Sequence, residues 1–238
     1  MDAISFYDEK NISHRNLQDG LGLKNTHNFI KAVLIKRFIS SKSRILDLGC
    51  GQGGDLIKIK YTQPSLYIGI DSSHTAITGA QKRCNNLKLK YRCKFFVLDF
   101  TKNSNWGDNL YNVINSQFSV HFAFENDEKA NFTFKNISKY LCEDGLFIGT
   151  IPNHSQFKTS EEVTVKLPGD DRYCKEYAVT SDDFIKMCEK YGLSLILFES
   201  FDIFFQKAKI SENNLFVKMN ADFAPDSNNF VFCFQKRT

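Results

Sequence analysis

Three acids and a run of glycines stand at spacings that can do chemistry. The segment Ile45-Leu46-Asp47-Leu48-Gly49-Cys50-Gly51-Gln52-Gly53-Gly54-Asp55 passes from a strand-like run through four glycines into a helical pattern. A backbone free of Cβ atoms can turn sharply there and lie against a ligand. Gly49, Gly51 and Gly54 also satisfy G-x-G-x-x-G, the dinucleotide spacing, although a bare match of that kind is weak. Asp47 discriminates. A dinucleotide sets a pyrophosphate against this turn, and a carboxylate at the strand end would repel it. A ligand with positive charge and no phosphate suits the turn, and S-adenosylmethionine, with its sulfonium and ammonium, is such a ligand. Asp71, after Ile68-Gly69-Ile70, can accept both ribose hydroxyls of an adenosine, and Asp99, after Val97-Leu98, can accept from an adenine amino group. These residues predict a cofactor edge made by three successive strand ends.

The elements that must position them follow from hydrophobic periodicity. β-Branched or aromatic runs occupy 44–48, 66–70, 94–98, 112–118, 146–151, 194–198 and 229–235. Between them, apolar residues recur at helical spacing over 26–39, 55–60, 74–88, 126–141 and 181–191. This alternation predicts an α/β fold with a parallel-rich sheet of seven strands, covered on both faces. Ser181-Asp182-Asp183 supplies an N-cap with first-turn acids, and Gly192 a left-handed stop. The polar stretches 153–172 and 208–228 read as loops or appended elements, and no internal repeat occurs. A single domain, 1–238, with residues 1–40 as a helical extension reaching the active site, is the simplest organisation.

Composition narrows the class. Hydrophobic residues make up 42% and charged residues 24% of the chain, which excludes a disordered protein; 23 Phe point to an aromatic core. The seven cysteines include no C-x-x-C pair and sit mostly in apolar runs, so they read as reduced core thiols. No apolar run reaches the length of about 18 residues that a membrane helix needs, and MDAISFYDEK carries no signal core. The expectation is a soluble intracellular protein without a membrane partner. A net charge of +4 is compatible with a polyanionic substrate held locally by Lys and Arg.

Three stretches, His27-Asn28-Phe29-Ile30-Lys31, Leu46–Asp55 and Asn115-Ser116-Gln117-Phe118-Ser119-Val120-His121-Phe122-Ala123-Phe124, together resemble the eukaryotic-type mRNA cap guanine-N7 methyltransferases. Tyr7-Asp8, Thr150-Ile151-Pro152-Asn153, Glu176-Tyr177 and Phe201–Phe205 extend the match along the chain. The resemblance implies a class I Rossmann-like methyltransferase fold. It further implies that Lys31, Asp47, Gly49, Gly51, Asp71, Asp99 and Gln117 hold S-adenosylmethionine, Lys31 meeting its carboxylate. Asn28, Phe118, His121, Pro152 and Glu176 would surround the cap guanine, with Arg83 near the cap phosphates. The partner would be 5′-capped RNA, with the chain a monomer or a subunit beside other capping enzymes. The family compartment is the nucleus, or the cytoplasm for a viral or parasite enzyme.

Chemistry agrees with these roles. A carboxylate at Glu176 can accept guanine N1–H and its exocyclic amine together, about 1–3 kcal/mol of base discrimination, and an aromatic such as Phe118 can stack on a base for about 1–3 kcal/mol. Guanine N7 has a free lone pair and no proton to lose, so no residue is assigned as acid or base; Phe118, His121 and Glu176 are positioners. Gln52 stands where the family usually has a lysine, Phe122 where it has a tyrosine, and Asn229 where a tyrosine is expected, which predicts weaker cap affinity. Two alternatives remain: a methyltransferase of the same fold acting on a small molecule or protein, and a catalytically weak cap-binding subunit.

Overall fold

The computed structural model describes residues 21–107, 110–166, 173–222, 224–225 and 228–237. The expected extension over residues 1–20, with Tyr7 and Asp8, lies outside the described residues. In chain order the elements are α1 (Leu21–Phe38), β1 (Arg44–Leu48), α2 (Leu56–Ile59), β2 (Leu66–Asp71), α3 (His74–Leu87), β3 (Arg92–Val97) and β4 (Tyr111–Gln117). They continue as α4 (Asp127–Tyr140), β5 (Leu141–Pro152), β6 (Glu162–Lys166), β7 (Tyr173–Tyr177), α5 (Ser181–Lys190), β8 (Leu193–Ser200), α6 (Phe201–Ser211), α7 (Asn213–Lys218) and β9 (Asn229–Lys236). Short 3-10 turns cover Lys60–Thr62 and Val120–Glu125.

The seven expected strands form one sheet in the order β3-β2-β1-β4-β5-β9-β8, in which β9 alone runs opposite to the other six. Successive strands leave β1 on opposite sides, β2 to one and β4 to the other. In open α/β sheets the crevice above such a reversal is where ligands bind. Asp47 sits there, in register with Gly69 of β2 and Asn115 of β4.

Strand alternation sends residues to two cores. Phe147 and Phe232 face α4 and α5, packing with Phe134 and Phe184, whereas their neighbours Ile148 and Cys233 join Ile35, Ile45 and Tyr67 on the other face. Phe29, Phe201, Phe204, Phe205 and Phe216 form a third cluster between α1, α6 and α7. The phenylalanine excess is spent on ring pairs such as Phe147–Phe232 at 4.8 Å and Phe184–Phe232 at 5.0 Å, each worth about 0.5–1.5 kcal/mol beyond area burial. All seven cysteines are free thiols, four of them buried. No helix among the described residues is long and apolar enough to cross a membrane.

Two boundaries differ from the expectation, and two polar stretches resolve into appended elements. The first helix already includes residues 21–25, ahead of the expected start at Thr26. The polar stretch 153–172, expected to be loop or an appended element, contributes β6, which pairs with β7 just beyond it; the inward positions of β7 are Cys174 and Glu176, and the inward glutamate hid the strand period. The stretch 208–228, expected likewise to be loop or an appended element, completes α6 and forms α7 over residues 208–218, with Phe201, Phe204, Phe205 and Ala208 at helical spacing. The cap of α5 is Thr180 and not Ser181, its side chain accepting from Asp183 N at 3.2 Å; Gly192 supplies the left-handed stop at φ +75°.

Candidate functional site

The glycine turn is held rigid from both sides. Gly49 has φ +67°, and a Cβ there would lie 2.4 Å from Ser119 Cβ, so the position requires glycine for both conformation and space. Gly51 is left-handed too, at φ +51°, but a Cβ there would meet nothing within 4 Å, so its outer side is open. Its N–H donates to Asp71 Oδ2 at 2.8 Å, while Ser73 N–H donates to Asp71 Oδ1 at 2.9 Å. Asp71 thus ties the turn to the end of β2.

Asp47 is more deeply set than a strand-end acid. It is 3% exposed, Oδ2 accepting from the Tyr67 hydroxyl at 2.6 Å and Oδ1 from Asn115 Nδ2 at 2.8 Å. Burial, reinforced by the negative charge of Asp55, pushes its carboxyl up to about 7; the two hydrogen bonds and Lys31 only partly oppose this. The chain of bonds continues: Gln117 Nε2 donates to Asn115 Oδ1 at 2.8 Å and Thr150 Oγ1 to Gln117 Oε1 at 3.1 Å. One relay therefore links β2, β1, β4 and β5 across the top of the sheet.

Lys31 lies in the same cluster, 3.1 Å from Asp55, which also takes Lys58 at 2.7 Å. Burial alone would raise Asp55, but these two cations hold its carboxyl well below the usual range. Asp99 stands two residues past the end of β3 rather than within it. It accepts from Thr101 N and Oγ1 and pairs with Lys102 at 3.0 Å; these contacts outweigh burial and lower its carboxyl.

A second group of side chains adjoins the first. Phe118, half-buried directly after β4, has φ +57°, a conformation that costs an L-residue about 1–2 kcal/mol. It is held by ring contacts to His27 at 5.9 Å and Phe201 at 5.8 Å. The next residue, Ser119, donates to Leu48 O at 2.5 Å, clamping this segment over the glycine turn. His121 and Glu176 are both buried, with Nε2 and Oε2 3.1 Å apart. That is ion-pair distance, but the direction is poor for a hydrogen bond, and neither ring nitrogen has an aligned partner among the described residues. Burial would raise Glu176, yet His121 and then His154 outweigh it and hold the carboxyl below its ordinary value. The His121 ring lies 4.3 Å from that of Phe122 and 6.5 Å from that of His154, whose Nδ1 accepts from Val179 N at 3.4 Å. Pro152 ends β5 opposite Asn229, and Asn28 is half-buried on α1. Arg83 is exposed on α3, its guanidinium 3.8 Å from where a Gly54 Cβ would stand. Gln52 packs along Gly79 of the same helix.

The structure thus gathers Asp47, Gly49, Gly51, Asp71, Lys31 and Gln117 around one turn, and Phe118, His121 and Glu176 beside it. Asp99 and Arg83 stand at the rim, each in a contact of its own. Sequence reasoning missed Tyr67, Asn115, Ser119, Asp55 and His154. Asp55 closes the glycine run and was legible as an acid at a helix start. Tyr67 reads as one more aromatic strand residue, and nothing in the sequence distinguishes it.

Comparison with known proteins adds three findings. The sequence model of the mRNA (guanine-N(7))-methyltransferase domain matches residues 4–172. The mRNA cap guanine-N(7) methyltransferase of Cryptococcus neoformans is 29% identical over 251 residues, covering 86% of this chain and 35% of the relative. That of Schizosaccharomyces pombe is 36% identical over 161 residues, covering 59% and 45%. The chain therefore spans less than half the length of either relative. Among solved structures, an S-adenosylmethionine-dependent methyltransferase from Listeria monocytogenes superposes with a TM-score of 0.64 at 16% identity, covering 91% of this chain and 100% of the other, a likeness of fold.

Proposed function

Since the chain belongs to the mRNA (guanine-N7)-methyltransferase family, we propose that it transfers the methyl group of S-adenosylmethionine to N7 of the guanine capping an RNA. The residues present fit the cofactor. Asp47, buried and with a carboxyl near neutrality, gains from a cationic neighbour. The open outer side of Gly51 admits a ligand against the backbone, and a carboxylate at the end of β2, Asp71, suits ribose hydroxyls. Lys31 is assigned to the methionine carboxylate, which it would share with Asp55. Asp99 is assigned to the adenine side. Gln117, engaged at both ends of its amide, contributes by fixing Asn115 and thereby Asp47.

The observation that carries the cap assignment is Glu176: a buried carboxylate held ionised beside His121, which follows the left-handed Phe118 by three residues. Such a carboxylate can accept from guanine N1–H and its exocyclic amine, a donor pair that adenine lacks. Phe118 supplies a stacking face, and His121 orients the carboxylate. Asn28 and Pro152 are assigned to the guanine walls and Arg83 to the cap phosphates.

When bound, S-adenosylmethionine supplies an electrophilic methyl group on a cationic sulfur. The side chains have no proton to move, because guanine N7 carries none; their work is to hold the nucleophile in line. Alignment of this kind removes roughly 7–11 kcal/mol of barrier. Asp47 and Glu176, as fixed anions in a shielded site, also stabilise positive charge on either side of the transfer.

Methyl transfer from labelled S-adenosylmethionine to GpppA-capped RNA and to ppp-ended RNA tests the proposal. Labelling of the capped end alone is expected; equal labelling of both, or none, defeats it. Glu176→Ala should lower the rate about 10–100-fold, the equivalent of roughly 1–3 kcal/mol of base contact, while leaving cofactor affinity unchanged by calorimetry.

A further inference from the structure

Charge is not spread evenly over this molecule. Residues 57–95 carry eight of the chain's 31 basic residues and one of its 27 acids, Asp71, whose carboxylate accepts from two backbone N–H groups. Seven of the eight cations are exposed, and among the described residues none of the seven pairs with an acid. They sit on α3, the turn that follows it, the edge strand β3 and the 3-10 turn Lys60–Thr62. Lys60 Nζ donates to Leu87 O at 3.1 Å, joining the turn to the end of α3, where Lys88 follows at φ +47°. Arg83, about one and a half turns earlier on α3, reaches the glycine turn beside Gly54. The cationic face therefore begins at the rim of the site.

β3 continues it around the sheet edge. Cys93 and Phe95 pack inward against Cys84 and Leu87 of α3, so Arg92, Lys94 and Phe96 alternate outward, Phe96 being 47% exposed. Tyr61, next to Lys60, is 74% exposed. Lysines on an edge strand can serve simply to deter strand pairing. That reason covers Arg92 and Lys94; it does not cover Lys60, Lys82 and Lys88, nor exposed aromatic rings among them. Cations that track a backbone, interleaved with rings on which bases stack, are the recurring chemistry of single-stranded nucleic-acid binding.

We infer that the face formed by Lys60, Tyr61, Lys88, Lys90, Arg92 and Phe96 holds the RNA chain downstream of the cap. The inference rests on the cap-methylating function proposed above and adds to it a docking surface for the body of the substrate. The cap enters between Phe118 and Glu176, its phosphates pass Arg83, and the following nucleotides run over α3 toward the β3 edge. RNA length then contributes to affinity through this face, and the contribution is lost at high salt.

The test uses the full chain and the variant Lys60→Gln/Lys88→Gln/Lys90→Gln, none of whose positions belongs to the site. KM is measured for the GpppA dinucleotide and for a capped single-stranded RNA long enough to span the face, and binding of uncapped RNA is measured against salt. Each lost phosphate contact on a single strand flattens the log–log salt dependence by about 0.7, so three neutralisations flatten it by about 2. The expected result is that flattening, a raised KM for the long RNA, and an unchanged KM and kcat for GpppA. A raised KM for both substrates, or for neither, overturns the inference, the second being the outcome for a face that binds an acidic protein segment instead. Tyr61→Ala is a second variant, expected to weaken long-RNA binding without changing the salt slope; an unchanged affinity counts against the face. If the wild-type chain fails to methylate GpppA, the proposed function falls, whereas the uncapped-RNA salt series still judges the face.

Discussion

Asp47→Asn should stabilise the free protein while crippling its use of cofactor. The Asp47 carboxyl is raised from 3.8 to about 7 by burial, so between those values the native state holds a proton that the unfolded chain has released. Its contribution to stability therefore falls as pH rises from about 4 to about 7 and then stays at its lowest. A shift of about three units corresponds to a ceiling of about 4 kcal/mol above neutrality. Asparagine escapes this penalty and can be accommodated. Its Oδ1 can accept from Asn115, and the Tyr67 hydroxyl can turn to accept from its amide. Urea denaturation of both proteins at pH 8, 6 and 4.5 is the assay, since a neutral isostere removes the titration and little else. Stability of the variant should exceed that of the wild type at pH 8, by up to about 4 kcal/mol, or roughly 8–16 °C in Tm for a chain of this size. The advantage should shrink toward zero as pH approaches 4. Calorimetry should show cofactor affinity reduced about ten-fold or more, the equivalent of 1.4 kcal/mol. A variant less stable than wild type by the same amount at every pH would refute the reasoning, because Asp47 would then be a satisfied structural acid. A stabilised variant with undiminished cofactor affinity would refute the functional half alone.

The same titration predicts that wild-type affinity for S-adenosylmethionine rises with pH and levels off above about 7, with proton release on binding near pH 6 detectable by calorimetry in two buffers of different ionisation enthalpy. Gly49→Ala should cost more than Gly51→Ala. Both acquire a left-handed alanine, at about 1–2 kcal/mol, but only the first drives a Cβ into Ser119; denaturant midpoints should separate them, and cofactor titration should show Gly51→Ala impaired in binding although well folded. Asp55→Ala leaves Lys31 and Lys58 partly buried without their shared carboxylate and should lower stability by about 3–5 kcal/mol. Asp55→Asn should recover part of that loss in the same melt.

How much of this was legible depends on whether the physics is local. The glycine turn declared itself because positive φ demands glycine wherever the fold places it, and the seven strands because a two-sided sheet needs apolar runs of strand length. The hairpin β6–β7 did not, because Glu176, the residue that matters there, breaks the apolar alternation by facing inward. Thr180 took the cap position from Ser181 because a one-residue choice between adjacent hydroxyls is decided by where the chain enters the helix. Family resemblance pointed to Phe118, His121 and Glu176, but not to the strain at Phe118 or to the pairing of the other two.

For Asp47, the sequence determined identity and place: an acid two residues before the first glycine of the turn, with no tolerance for a pyrophosphate opposite it. Tertiary structure decided its charge. Tyr67 and Asn115 reach it from the neighbouring strands, twenty and sixty-eight residues away in the chain, and burial between them raises its carboxyl to about 7. Desolvation depends on everything that surrounds a group in space, and no local pattern carries that information. The cationic face divides in the same way: its seven exposed basic residues can be counted along the chain, but only the contact of Lys60 with the end of α3 and the edge position of β3 make them one surface.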